Sequence, residues 1–206
     1  MNPSLIPQLL SGLSQVPSSA TVNNFYISQP SCLANLEQYL RALCAHPYSG
    51  HLLVGEAPGY RGCALTGIPF TSERILASGS NQFIATLRPS LVLQGNTAEP
   101  SATIVWGHLS KSSLVPALWN AFPFHPHRKN EGNSNRAPNA AERLGGRHYL
   151  NLVVAILCPT TVIAIGRKAE ENCNHSNLRL GATYVRHPAN GGGEKFIEAI
   201  KTLGIV

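Results

Sequence analysis

Residues 51–72, HLLVGEAPGYRGCALTGIPFTS, constrain this chain more than any other stretch. His51–Val54 reads as a buried strand, apolar and ending in a β-branched valine. The chain then turns sharply through Gly55-Glu56-Ala57-Pro58-Gly59. It turns again through Thr66-Gly67-Ile68-Pro69-Phe70, before Thr71 or Ser72 caps a helix. Two glycine-bearing loops at the carboxyl end of one strand make a pocket floor, because a residue without Cβ lets backbone N–H groups approach a ligand. In open α/β sheets, ligands sit outside the carboxyl ends of the strands.

Downstream, the hydrophobic pattern alternates between two periods. Residues 71–87 read as a helix with Ile75, Leu76, Phe83, Ile84 and Leu87 on one side. Ala117–Phe122 reads as a second strand, its ladder ended by Pro123 and Pro126. A helix over 139–157 carries Leu144, Leu150, Val153, Val154 and Leu157. Thr161–Ile165 lies between Pro159 and Gly166 and is apolar throughout, as a fully buried central strand would be. A short helix over 167–173, a last strand over 182–186 and a closing helix over 194–203 complete the alternation. Upstream, Leu36, Leu40 and Leu43 mark a helix within 34–45. Residues 1–33 read as an N-terminal arm or helix: Pro3–Val16 is either a short amphipathic helix or part of a loosely packed arm. Residues 88–116 are least regular, with Val92–Leu93 and Thr103–Trp106 as short strands or an extended excursion. The expectation is a single α/β domain over 1–206: a three-layer α/β/α sandwich around a mostly parallel sheet of about four strands.

Charge narrows the partner. Sixteen Lys+Arg against ten Asp+Glu give +6 and a pI near 9.3, which suits a polyanion. All ten acids are glutamates. Between Lys111 and Arg147 there are six Lys/Arg and two Glu. Lys111, Arg128, Lys129, Arg136 and Arg143 are therefore the predicted phosphate contacts, with a solvated loop and helix face as the bland alternative. No run of 18 apolar residues occurs, and the first residues lack the basic and apolar regions of a secretory leader, so no membrane partner is expected. Five widely spaced cysteines suit a reducing compartment better than a disulfide framework. The expected location is the cytoplasm, with the nucleoid in a bacterium, and the expected state is a monomer. His125 and His127 resemble a metal pair without a third ligand, so no metal and no cofactor are predicted.

In a parallel sheet, Glu56, Phe70, Asn120 and His187 would converge from separate loops onto one rim. The set suits a flipped pyrimidine. Phe70 offers a stacking face. Asn120 offers one donor and one acceptor, matching O4 and N3–H of uracil. His187 supplies a donor for O2 as the glycosidic bond breaks. Glu56 orients water near C1′ or, alternatively, satisfies loop N–H groups. Gly55, Glu56, Ala57, Pro58 and Gly59 would line the substrate side, with Asn190 and Gly191 against the DNA strand. Cys63 lies in the same loop with no assignable base and reads as a small packed residue.

The GEAPG and G-I-P-F segments, Asn120 in LWNAFPFHP, Asn135-Arg136-Ala137-Pro138 through Glu142, TVIAIGRKA and His187-Pro188 occur in order over roughly 50–200. Together they resemble the uracil-DNA glycosylase superfamily, most closely its iron–sulfur branch. The resemblance implies a monofunctional glycosylase that hydrolyses the N-glycosidic bond of uracil in DNA, with His187, Glu56 and Asn120 in catalytic roles. Three departures matter. The branch's cluster cysteines are missing, so no iron–sulfur cluster is expected. Ala57 stands where the best-known branch has a water-activating aspartate. The loop HPANGGGEK lacks a bulky apolar wedge. These departures keep a second reading open: a non-catalytic or very slow binder of flipped bases or nucleotides.

Overall fold

The computed structural model describes the whole chain except residues 111, 113, 176–180, 190 and 206. In chain order the elements are α1 (Ile6–Gln15), β1 (Val22–Asn23), α2 (Phe25–Ser28), α3 (Pro30–Ala45), β2 (His51–Gly55), α4 (Cys63–Thr66), α5 (Glu73–Ser78), α6 (Gln82–Leu87), α7 (Pro100–Leu109), β3 (Ala117–Asn120), β4 (His125–Pro126), α8 (Ala140–Leu157), β5 (Thr161–Ile165), α9 (Arg167–Asn174), β6 (Ala182–Val185) and α10 (Gly193–Thr202).

The main sheet has four parallel strands in the order β3-β2-β5-β6. Its central strands are apolar on both faces: Leu52, Leu53, Val54, Val162, Ile163, Ala164 and Ile165 are all fully buried. The crossover from β2 to β3 runs one way along the sheet; those from β3 to β5 and from β5 to β6 run the other. Such crossovers are right-handed, so the two sets of helices fall on opposite faces. A three-layer α/β/α sandwich results, with the reversal of direction at β2. A crevice opens outside the carboxyl end of a strand at such a reversal. No helix is long and apolar enough to cross a membrane, among the described residues.

Three local readings are corrected. Thr103–Trp106 is not a strand but the middle of α7. Its β-branched residues mask a helical stripe, in which Ala102, Val105, Trp106 and Leu109 are buried. The start signal was legible: Pro100 takes the first helical position, and the Glu99 carboxylate accepts from the backbone N–H groups of Ser101 and Ala102. The single helix over 71–87 is two helices. Gly79, left-handed at φ +59°, ends α5, and Asn81 caps α6 by accepting from Phe83 N at 2.8 Å. Of the two readings of Pro3–Val16 the helix holds: α1 spans Ile6–Gln15, with Ile6, Leu9 and Leu13 fully buried. The second strand is also shorter than expected, ending at Asn120. A two-stranded antiparallel ribbon of β1 and β4, outside the sequence expectation, ties this region to the segment after it.

Candidate active site

A cleft of about 730 Å³ opens at the carboxyl ends of all four parallel strands. That volume is in the range of small-molecule sites. Glu56, Ala57, Pro58 and Gly59 line it from the loop after β2, and Asn120 from the end of β3. Gly166, Arg167 and Lys168 line it after β5, and Arg186, His187 and Ala189 after β6. Parallel pairing places Gly55 opposite Asn120. The ladder runs on past the strands, with Ala121 N donating to Gly55 O at 2.8 Å and Phe122 N to Glu56 O at 3.0 Å. The first loop and the asparagine are thus held in one register.

Phe70 and Asn120 meet over Gly55. A Cβ built on Gly55 would lie 2.4 Å from the Phe70 ring and 2.9 Å from Asn120 Oδ1, so only glycine fits beneath them. Phe70 adopts φ +53°, a left-handed conformation that an aromatic residue reaches only when its surroundings impose it. The constraint is visible. Trp106 Nε1 of α7 donates to Phe70 O at 2.9 Å. Thr66 and Thr71 share a hydroxyl hydrogen bond of 2.8 Å inside the same loop, and Gly67 at φ +78° packs against the Cys32 carbonyl.

His187 lines the opposite wall, packed on Gly166 with its Cβ 3.4 Å from the position of an added methyl. Ala189 N donates to His187 Nδ1 at 3.1 Å. That bond requires a lone pair on Nδ1, so the neutral ring carries its proton on Nε2. Burial lowers the His187 pKa; the Glu99 carboxylate opposes this and Arg186 adds to it. The ring is therefore neutral near neutrality, with one N–H to donate.

Glu56 has a buried carboxylate oxygen, Oε1, without a hydrogen-bond partner among the described residues. Burial raises its pKa, against the lowering effects of Lys168 and Arg143. Oε1 is closed to solvent, but the residue lines the cleft, and a desolvated carboxylate is a stronger base than a solvated one.

The N-R-x-P segment has a structural explanation. Asn135 Oδ1 accepts from Tyr60 N at 3.2 Å, docking the segment on the first loop. Arg136 uses all five of its N–H groups: to His127 O at 3.0 Å, Ala137 O at 3.0 Å, Thr21 O at 2.9 Å, and Glu142 at 2.7 and 2.6 Å. Glu142 also closes a capping box with Asn139 at the start of α8. Arg136, expected on phosphate, has no donor left for one. His125 likewise is no metal ligand, since its ring nitrogens lie 2.8 Å from Pro58 O and 3.2 Å from Gly132 O. No group of three metal-binding side chains occurs among the described residues.

Of the other expected phosphate contacts, Arg128 and Lys129 are exposed outside the cleft, Arg128 in an ion pair with Glu131 at 3.1 Å. Arg143 donates to Pro138 O at 2.9 Å and acts electrostatically on Glu56. Gly191 is exposed, at φ +72°. Lys111 and Asn190 lie outside the described residues. Besides Arg136, the cations lining the cleft are Arg167, Lys168 and Arg186, with the Arg167 guanidinium stacked 4.3 Å above the Tyr184 ring. Sequence reasoning passed over these and Glu99. The GRKA segment signalled a strand-to-helix turn, but only the strand order shows that this turn borders the cleft.

The profile of the uracil DNA glycosylase superfamily matches residues 45–202. Among solved structures, wild-type SMUG2 from Pedobacter heparinus superposes with a TM-score of 0.69, covering 98% of this chain and 99% of that one at 14% identity. At that identity the likeness is one of fold. No curated protein matches the chain in sequence. With the profile spanning most of its length, and with the sheet and cleft described above, the chain belongs to the uracil DNA glycosylase superfamily, a family of DNA glycosylases.

Proposed function

We propose that this protein hydrolyses the N-glycosidic bond of uracil in DNA, leaving an abasic site. The observation that carries this reading is His187: its Nδ1 is occupied by Ala189 N–H, its neutral form is favoured by burial, and its remaining N–H belongs to the wall of a cleft that Phe70 and Asn120 also line. The flipped uracil stacks on Phe70. Asn120 reads O4 and N3–H. As the C1′–N1 bond breaks, negative charge collects on O2 and His187 Nε2–H stabilises it, as a preorganised donor does for any developing oxyanion. Positive charge collects on the sugar. Glu56 holds water on that side and accepts its proton as oxygen adds to C1′, a role supported by its place in the cleft lining and by the burial that raises its pKa. Arg167, Lys168 and Arg186 meet the flanking phosphates. The uracil-containing strand is the only partner this scheme needs, and the protein acts on it as a monomer in the cytoplasm.

The experiment is a single-turnover assay on uracil-containing single- and double-stranded oligonucleotides. Wild type releases uracil, and His187→Ala slows release by about 10²–10³, the scale for losing one oxyanion donor, with DNA affinity little changed. Binding without any release by wild type would favour the slow or non-catalytic binder, the reading that the lack of any aspartate in the chain supports.

A further inference from the structure

Extruding one nucleotide uncovers a face of the base beside it. An apolar wedge would cover that face, and the loop HPANGGGEK supplies none. The rim of the cleft carries a flat surface instead. Tyr184, near the end of β6, lines the cleft half-buried, and Arg167 opens α9 beside it. The Arg167 guanidinium lies 4.3 Å above the Tyr184 ring, and its Nη1 donates to the Glu170 carboxylate at 3.0 Å. Fixing an arginine side chain costs conformational freedom, and these two contacts fix this one before any ligand arrives. Its side chain is nonetheless 73% exposed, so the face turned away from Tyr184 is open. The backbone sets the place. Gly166 N donates to Val185 O at 2.9 Å, which ties the residue before Arg167 to the residue after Tyr184. Gly166 also faces His187, so the stack stands beside the His187 wall of the cleft.

We propose that Arg167 and Tyr184 form a second subsite, a stacking platform that takes the nucleobase adjacent to the flipped uracil on the same strand. This deepens the proposed function and rests on it for the identity of that strand. The base lies on the outer face of the guanidinium, as unstacked bases lie on arginine planes and aromatic rings. A guanidinium is planar and delocalised, so it holds the tyrosine ring on one face and a base on the other. Among the described residues only Nη1 is spent on a hydrogen bond, so the same side chain stacks through its face and meets a phosphate through its edge. The other arginine over a tyrosine among the described residues, Arg61 above Tyr60 at 5.3 Å, does not line the cleft and has no such role.

The test measures binding rather than turnover. The probe is a fluorescein-labelled single-stranded oligonucleotide with one 2′-fluorinated deoxyuridine, whose glycosidic bond resists cleavage. The base on its 5′ or its 3′ side is removed in turn. For wild type, removal on one of the two sides weakens binding by about tenfold, the scale of one base–aromatic stack. Arg167→Lys keeps the charge and loses the plane. It binds the intact probe about tenfold more weakly, shows the wild-type salt slope and is indifferent to removal of the flanking base. Tyr184→Ala, which takes away the support under the guanidinium, is indifferent to it as well. Tyr184→Phe and Arg61→Lys keep the full dependence on that base. A stack that only fastens α9 to β6 gives another pattern: wild type is indifferent to both flanking bases, or their removal costs Arg167→Lys as much as it costs wild type. Either result overturns the platform. Because the probe is not cleaved, a wild type that binds it but releases no uracil from an ordinary substrate defeats the proposed function alone, and these affinities still decide the subsite. A wild type that does not bind the probe overturns both.

Discussion

Replacing Arg136 with alanine separates a structural cation from a DNA contact. The guanidinium makes five hydrogen bonds, two of them to the Glu142 carboxylate. Truncation leaves three carbonyls and one carboxylate without their partner. Bonds to charged groups contribute about 1.5–3 kcal/mol and neutral ones about 0.5–1.5 kcal/mol. Simple addition overstates the loss: the two side chains are 23% and 14% exposed, so water replaces part of it, and Glu142 keeps its bond from Asn139 N at 2.8 Å. A loss of about 2–4 kcal/mol is expected at neutral pH, or about 5–15 °C in Tm for a chain of this size. Arg136→Lys should recover little, because an ammonium cannot fork onto a carboxylate and reach three carbonyls at once. The loss has a pH signature. Hydrogen bonding from Arg136 holds the Glu142 pKa below the usual carboxylate range, with Asn139 N–H assisting against burial. That stabilisation is complete above the unfolded pKa, near about 4.3, and fades as pH falls through the lower folded value. The gap between wild type and variant therefore narrows in acid. Urea unfolding at a series of pH values measures it, alongside the salt dependence of binding to a uracil-containing oligonucleotide. A variant within about 0.5 kcal/mol of wild type, the range of an unremarkable surface change, whose log–log salt slope has also dropped by about 0.9, would refute the structural assignment and return Arg136 to the phosphates.

The remaining predictions concern the cleft. Gly55→Ala drives a methyl group into the Phe70 ring and Asn120 Oδ1; uracil release should slow by about 10²-fold, the scale of an ångström misplacement, and a rate within threefold of wild type would contradict the convergence of those two side chains. The acid limb of the excision profile should lie below the ordinary histidine value of 6.5, because burial lowers the His187 pKa, and Glu99→Gln should move it lower still by removing the opposing charge; a limb at or above 6.5 in either enzyme would contradict the neutral ring. Asn120→Asp turns the donor for O4 into an acceptor, so uracil release should fall by at least about tenfold in the same single-stranded sequence; unchanged release would remove Asn120 from base reading. Neutralising Arg167 and Lys168 together should flatten the salt slope of DNA binding by about 0.7–0.9 per lost phosphate contact, while neutralising Arg128 and Lys129 should change it less; the reverse ranking would move the footprint to the exposed loop.

The strands and their order along the chain were legible because fully buried parallel strands are short apolar runs bounded by Gly and Pro, as in Thr161–Ile165, and need no partner to be seen. The first loop was legible for a similar reason: a glycine on which no Cβ fits, as at Gly55, marks a close approach wherever it occurs. The helix α7 was misread because β-branched residues favour strands locally, whereas the burial of Ala102, Val105, Trp106 and Leu109 against the rest of the chain decides for a helix. The cations divided the same way. Sequence position shows that a residue is charged, not where its donors go. Arg136 looks like a phosphate ligand until Thr21, 115 positions away, is seen accepting from it. Arg167 and Arg186 look like scattered surface charge until parallel pairing of β5 with β6 brings both to the cleft. A parallel register joins residues from separate parts of the chain and is set only once the strands have paired, so tertiary structure alone decides which cations reach the cleft.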